Sequence, residues 1–208
     1  ATVNGTSALH IALIINKLKP NEEVLLPSMS FIASANAISY CGATPHFVDI
    51  EEKTLGIDVK KLEKYLKKIT KINNGSLYNK KTKRKISGII PVHLFGHPSN
   101  ILELIKLAKK FNLFLVEDAA EGLGSFYKKK HVGTFGNVGI LSFNGNKIIT
   151  TGGGGAILTN NKKIALLARH LSTTAKLPHK WNYNHNMIGY NYRMPNLNAA
   201  LGCSQFKK

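Results

Sequence analysis

The sequence predicts an α/β domain with a mostly parallel central sheet flanked by helices on both faces. Three observations carry that prediction. Short apolar runs alternate with segments whose apolar residues recur at helical spacing, the pattern of strand–helix–strand units. Turn-forming residues gather where the apolar runs end. The chain is also long enough for a substantial core, with 208 residues, 43% of them hydrophobic and 19% charged.

Each element follows in order. The opening ATVNGTSALH reads as the end of a strand running straight into a helix over residues 7–18, with Thr6 or Ser7 as its N-cap. EEVLLPS is a short strand, and SFIASANAISY is a helix stopped by Gly42. TPHFVDI is a strand, after which Asp58 caps the basic helix VKKLEKYLKKI. The polar stretch 73–85 (NNGSLYNKKTKRK) shows no periodicity and is expected to be an exposed loop. ISGIIPVHLFG is a buried strand, ILELIKLAKKF a helix and NLFLVED another apolar strand. A glycine-punctuated hairpin region precedes two more strands, GILSF and GGAILT. The final LNAALGCSQFKK has helical spacing.

Composition excludes several classes. No apolar run approaches the ~18 residues of a membrane helix. Cys41 and Cys203 lie far apart with no partners at ligand spacing, so neither a disulfide scaffold nor a metal site is expected. The first residues carry no signal-peptide pattern. Both ends read as cuts through a longer protein. The unusual quantity is charge: 29 Lys+Arg against 11 Asp+Glu give a formal +18. A basic nucleic-acid-binding protein is the reading that charge first suggests. The lysines are spread over helices and loops, however, with no binding motif and no stacking aromatics between them.

In open α/β sheets ligands bind beyond the C-terminal ends of the strands. Four features fall at such ends: the NGTSAL turn into a helix, Asp118 after LFLVE, the turn Ser142–Lys147, and the glycine run 152–155. A helix start with small residues suits a phosphate. Four glycines in a row imply backbone packed close to something. Asn144-Gly145 permits a left-handed turn that would aim Lys147 back at the strand ends. Together they match the needs of pyridoxal phosphate: a lysine for a Schiff base, an acid at the pyridine nitrogen, a phosphate cup and a flat side chain on the ring. Lys147, Asp118, the Thr6-Ser7 turn with Ser142, and Phe31 supply these.

The stretches NGTSALHIAL, PSMSFIASANAI, GATPHFVDI, PVHLFGHP, VEDAAEGLGS, LSFNGNKIITTGGGGAI and GYNYRMPNLNAALG resemble the DegT/DnrJ/EryC1/StrS family of sugar-nucleotide aminotransferases along the whole chain. HLFGHP, SFNGNKIITTGGGG, LSTTAKLPHKW and GYNYRMPNLNAALG are most similar to its LegC-type branch. The resemblance implies a fold-type I transferase large domain over residues 1–208, with an N-terminal segment and a C-terminal small domain missing. It implies a cytoplasmic enzyme that aminates C4 of a UDP-linked 4-keto-6-deoxy-N-acetylhexosamine with glutamate as donor, towards legionaminic-acid-type surface sugars; a perosamine-type aminotransferase of the same family is the alternative.

The resemblance also assigns roles. Lys147 is the Schiff-base lysine that shuttles the proton, and Asp118 the acid at the pyridine nitrogen. Glu121 lies near the cofactor's hydroxyl, Phe31 on the ring face, and Thr6, Ser7 and Ser142 at the phosphate. Asn191 and Arg193 reach the phosphate of a neighbouring subunit, which implies a homodimer with shared sites, and His185 faces the sugar nucleotide. A family dehydratase would carry histidine in place of Lys147, so the lysine favours transamination. A truncated copy serving only as a binding partner is the remaining alternative.

Overall fold

The computed structural model describes residues 1–206. In chain order the elements begin with α1 (Gly5–Ile15), β1 (Glu23–Pro27), α2 (Ile32–Tyr40), β2 (Thr44–Val48) and α3 (Val59–Ile69). A hairpin of β3 (Thr70–Asn73) and β4 (Ser76–Asn79) leads to β5 (Lys85–Ile89), a 3-10 turn at Leu94–Gly96, α4 (Ile101–Lys110) and β6 (Phe114–Asp118). A small hairpin, β7 (Phe126–Tyr127) and β8 (Lys130–His131), precedes β9 (Val138–Ser142), β10 (Gly155–Leu158), α5 (Lys162–Ser172) and α6 (Asn196–Gln205).

The main sheet runs β10-β9-β6-β5-β1-β2, with β4 joined to the start of β5 and β3 beyond it. The pairs β1–β2, β1–β5, β5–β6 and β6–β9 are parallel, whereas β10 and the hairpin strands run antiparallel. The chain first builds outward through β1 and β2, then returns to the other side of β1 with β5. Strand order therefore reverses beside β1, and the parallel strands all end on one edge.

Side-chain alternation feeds two cores. Val24 and Leu26 of β1, Ile90, Val116 of β6, and Val138 and Ile140 of β9 pack with α1 and α2. Leu25, Ile86, Ile89 and Leu115 point to the opposite face, where α3 and α4 supply Leu62, Leu66, Leu104 and Leu107. A strand buried on both faces reads as a continuous apolar run, which is why EVLLP carries no polar alternation. α3 shows the opposite composition. Its buried stripe is Leu62 and Leu66, its lysines face outward, and Asp58 Oδ1 accepts from the Lys61 N–H at 2.9 Å. Lys67 and Lys68 in its last turn complement the helix dipole.

The fold departs from the sequence expectations at three places. Residues 73–85 are only partly a loop: Asn74 (φ 47°) and Gly75 (φ 71°) form a tight turn that folds β3 onto β4, β4 extends the sheet, and residues 80–84 alone form the connecting loop to β5. α1 begins earlier than expected, capped by Asn4 rather than Thr6 or Ser7; Asn4 Oδ1 accepts from the Ser7 N–H at 2.7 Å. α5 was not expected. Asn161 caps it through the N–H groups of Lys163 and Ile164, and Ala168 and Leu171 pack beside Ile11 of α1. The last helix is present as α6, and the final two residues of the run LNAALGCSQFKK lie outside the described residues.

Candidate active site

A cleft of about 520 Å³ opens at the C-terminal edge of the parallel strands. It is lined from four strand ends and one helix start: Met29–Phe31 after β1, Val92–Phe95 after β5, Asp118–Glu121 at β6, Ser142–Lys147 after β9, and Asn4–Thr6 entering α1. Residues scattered between positions 4 and 147 meet there because the strands are parallel and in register.

Asp118 is the last residue of β6, and its side chain is 5% exposed. The Ser34 hydroxyl donates to Oδ2 at 2.6 Å, and the Ala120 N–H donates to Oδ1 at 3.1 Å. Burial pushes the carboxyl above its ordinary value, and those two donors only partly offset it. Directly behind lies a second carboxylate. Glu117 is fully buried and accepts from the Gly133 N–H at 2.8 Å, the Gly136 N–H at 2.5 Å and His93 Nε2 at 3.1 Å. The Ser99 N–H donates to His93 Nδ1 at 3.2 Å, so the ring proton resides on Nε2 and points at Glu117. A carboxylate inside an apolar strand has to be saturated in this way, which was the available sequence signal for Glu117.

Lys147 projects into the cleft, and its Nζ lies 3.1 Å from Glu121 Oε1. The other oxygen of Glu121 accepts from the Phe95 N–H at 2.7 Å. The turn before Lys147 closes through Lys147 N–H to the Asn144 carbonyl at 3.0 Å. Contrary to the sequence expectation, neither Asn144 nor Gly145 is left-handed; the positive φ in this region belongs to Gly152. The glycine run does serve close packing. A Cβ on Gly155 would sit 2.6 Å from the Asn4 carbonyl group, and one on Gly154 would collide with Thr151.

That approach brings α1 to β9. A Cβ on Gly5 would press on Ser142 Cβ at 3.0 Å, so glycine lets the helix start lie beside the Ser142 hydroxyl without displacing it. Thr6 and Ser142 line the cleft, and the Gly5 and Thr6 N–H groups have no acceptor within the helix. Ser7 is buried, its N–H is taken by Asn4, and it lies outside the lining. Phe31 precedes the first turn of α2 and is 74% exposed, so it belongs to the cleft mouth rather than the core.

Asn191 and Arg193, expected at a neighbouring subunit's site, and His185, expected to face the sugar nucleotide, lie outside this cleft. Asn191 pairs its backbone with Thr173, Arg193 pairs with Thr2, and His185 Nδ1 donates to the Thr174 carbonyl at 2.7 Å. Asn191 and His185 are exposed on the outer surface.

The profile of the DegT/DnrJ/EryC1/StrS aminotransferase family matches residues 1–208. The chain belongs to that family. It is 44% identical over 205 residues to GDP-perosamine synthase from Escherichia coli O157:H7, covering 99% of this chain and 52% of the relative. Among solved structures, a DegT DnrJ EryC1 StrS aminotransferase from Brucella abortus matches with a TM-score of 0.87 at 30% identity, over 99% of this chain and 52% of that one. NtdA from Bacillus subtilis, crystallised with bound cofactor PMP, matches with a TM-score of 0.82 at 31% identity, over 99% of this chain and 43% of its own. The chain thus spans about half the length of these relatives.

Proposed function

We propose that this chain is the cofactor-binding large domain of a pyridoxal phosphate-dependent aminotransferase acting on a nucleotide-linked keto sugar. The observation that carries the reading is the convergence of Lys147 Nζ, the buried Asp118 carboxylate and the α1 start on one cleft. These groups fit the cofactor. An acid buried at a cleft wall suits a pyridinium N–H, and helix N–H groups beside a serine hydroxyl suit a phosphate.

Pyridoxal phosphate bound there supplies an aldehyde that condenses with amines and a ring that accepts electrons from a neighbouring C–H bond. Asp118 would accept the ring N–H and keep its proton in place. Ser34 and Ala120 fix the carboxylate plane. Lys147 would hold the cofactor through Nζ, and the same amine could move a proton at that atom. Glu121 orients that amine. Phe31 would cover the ring, and Thr6 and Ser142 would hold the phosphate, with Ser7 supporting the helix start beneath them.

The substrate reading is a 4-keto-6-deoxy hexose on a nucleoside diphosphate, aminated at C4 with glutamate as donor. The HLFGHP and GYNYRMPNLNAALG stretches support the LegC-type, UDP-linked N-acetylhexosamine substrate. The 44% identity to a GDP-perosamine synthase supports a GDP-linked, perosamine-type substrate. Asn191 and Arg193 lie away from their own cleft, as residues serving a second subunit would, which supports a homodimer with shared sites. No helix among the described residues is long and apolar enough to cross a membrane, which is compatible with a cytoplasmic enzyme.

The test uses full-length protein. Wild type should show the visible absorption of a lysine-bound cofactor, and Lys147→Ala should lose it. A band that survives the substitution sinks the assignment. Reaction of the aminated cofactor form with UDP- and GDP-linked 4-keto sugars separates the two substrate readings.

A further inference from the structure

One aromatic side chain in the cleft has no part in the chemistry above. Phe95 occupies the left-handed region at φ 52°, ψ 25° in the Leu94–Gly96 turn. For a bulky residue that conformation is costly, and it persists only where the surroundings impose it. They do so here. The Phe95 N–H donates to Glu121 Oε2 at 2.7 Å, and the Gly96 N–H donates to the His93 carbonyl at 3.1 Å. Gly96 is itself left-handed, and a Cβ there would press on the Glu121 carbonyl at 3.0 Å and on Ser125 Oγ at 3.2 Å. Leu94 and His93 before it are buried, whereas the Phe95 ring is 68% exposed and lines the cleft. A strained backbone therefore holds an apolar ring out of the core and in the binding space.

We propose that Phe95 is a substrate-contacting, specificity-determining residue whose ring packs against the C–H face of the hexose undergoing amination, with Glu121 as its positioning residue. The proposal rests on the function read above and names the part of the substrate that Phe95 recognises. The ring belongs to the sugar end rather than to the nucleobase because a single carboxylate separates the Phe95 N–H from Lys147 Nζ. The carbon that exchanges its substituent must reach that amine, so the group beside Phe95 is the ring bearing it. An apolar wall suits a deoxy sugar, whose methyl and ring hydrogens gain by leaving water.

The experiment measures both half-reactions in the full-length holoenzyme. Phe95→Ala should raise KM for the nucleotide-linked keto sugar about tenfold, the scale of one lost aromatic contact. The loss should fall on that half-reaction and not on the amino-donor half. Binding of the sugar nucleotide to the pyridoxamine form, measured by calorimetry, should weaken by the same factor, while binding of the free nucleoside diphosphate stays unchanged. Phe95→Tyr should restore affinity. Phe95→Gly keeps the left-handed backbone without strain, so it should retain thermal stability yet bind as poorly as Phe95→Ala. Unchanged sugar affinity in both Phe95→Ala and Phe95→Gly overturns the proposal, as does equal loss in both half-reactions or weakened binding of the free diphosphate. A wild-type protein without cofactor absorption would instead remove the underlying function, so the two failures are distinguishable.

Discussion

Asp118→Asn separates what the cleft needs from what the fold prefers. Ionised Asp118 is buried with two donors, each charge-assisted bond returning about 1.5–3 kcal/mol. Burying the charge costs several kcal/mol, and the balance is unfavourable because burial leaves the folded carboxyl above its ordinary value. Asparagine retains both contacts. Its Oδ1 accepts from the Ala120 N–H, and its Nδ2–H donates to Ser34 Oγ, whose hydroxyl is free to rotate. The cofactor-free Asp118→Asn protein should therefore be more stable at pH 7 by about 1 kcal/mol, a rise in Tm of about 2–4 °C.

The pH dependence has a definite sign. A carboxyl raised in the folded state favours folding when protonated, so the advantage of the variant is complete above the folded pKa. It disappears as pH falls through that value towards the unfolded value of about 3.9. Cofactor should reverse the order, since a hundredfold excess over Kd adds about 2.7 kcal/mol to wild type and far less to a variant without the anion. Thermal unfolding at several pH values, with and without pyridoxal phosphate, measures all of this. An Asp118→Asn protein that melts below wild type when cofactor-free at pH 7 would refute the reasoning.

Two further outcomes follow from the same packing. Glu117→Ala leaves His93 and the Gly133 and Gly136 N–H groups without an acceptor in a dry interior; a loss of about 3–5 kcal/mol is expected in denaturant unfolding. Gly155→Ala forces the Asn4 carbonyl and the Gly5 N–H aside, and should cost about 1–3 kcal/mol while weakening cofactor binding in a spectroscopic titration. Gly145→Ala, which points into open space, is its control and should change stability by less than about 0.5 kcal/mol.

Much of the architecture is legible because buried parallel strands are continuous apolar runs and their helices carry apolar stripes. Two of the three Asn-Gly dipeptides, Asn74-Gly75 and Asn144-Gly145, show where local reading stops. Asn74-Gly75 forms a left-handed turn because it joins two strands whose twist demands one. Asn144-Gly145 does not, since the antiparallel pair β9–β10 closes across a twelve-residue connection (143–154) rather than a two-residue turn, and this part of it lines the cleft around Lys147. The β3–β4 hairpin was hidden by its own surface, as Ile72 is exposed and its two four-residue strands, TKIN and SLYN, carry mostly polar side chains. Lys147, Asp118, Phe31 and Ser142 were visible as residues at strand ends. His93 and Ser34 were not, because a histidine in PVHLFG and a serine in a helix acquire meaning only from carboxylates 24 and 84 positions away.

The seating of α1 has a consequence for biosynthesis. Val3 donates its N–H to the Tyr192 carbonyl, and Thr2 exchanges backbone hydrogen bonds with Gly155. A chain synthesised from its N-terminus makes this helix early; β1 and α2 cover part of its apolar surface, but its remaining partners β9, β10 and the segment around Tyr192 leave the ribosome only much later. Its docking is a late, long-range event, slow by the measure of loop closure. The α1 end of the cleft is completed only at that step, so the free N–H groups of the helix start and the Ser142 hydroxyl come together only once the nascent domain has closed.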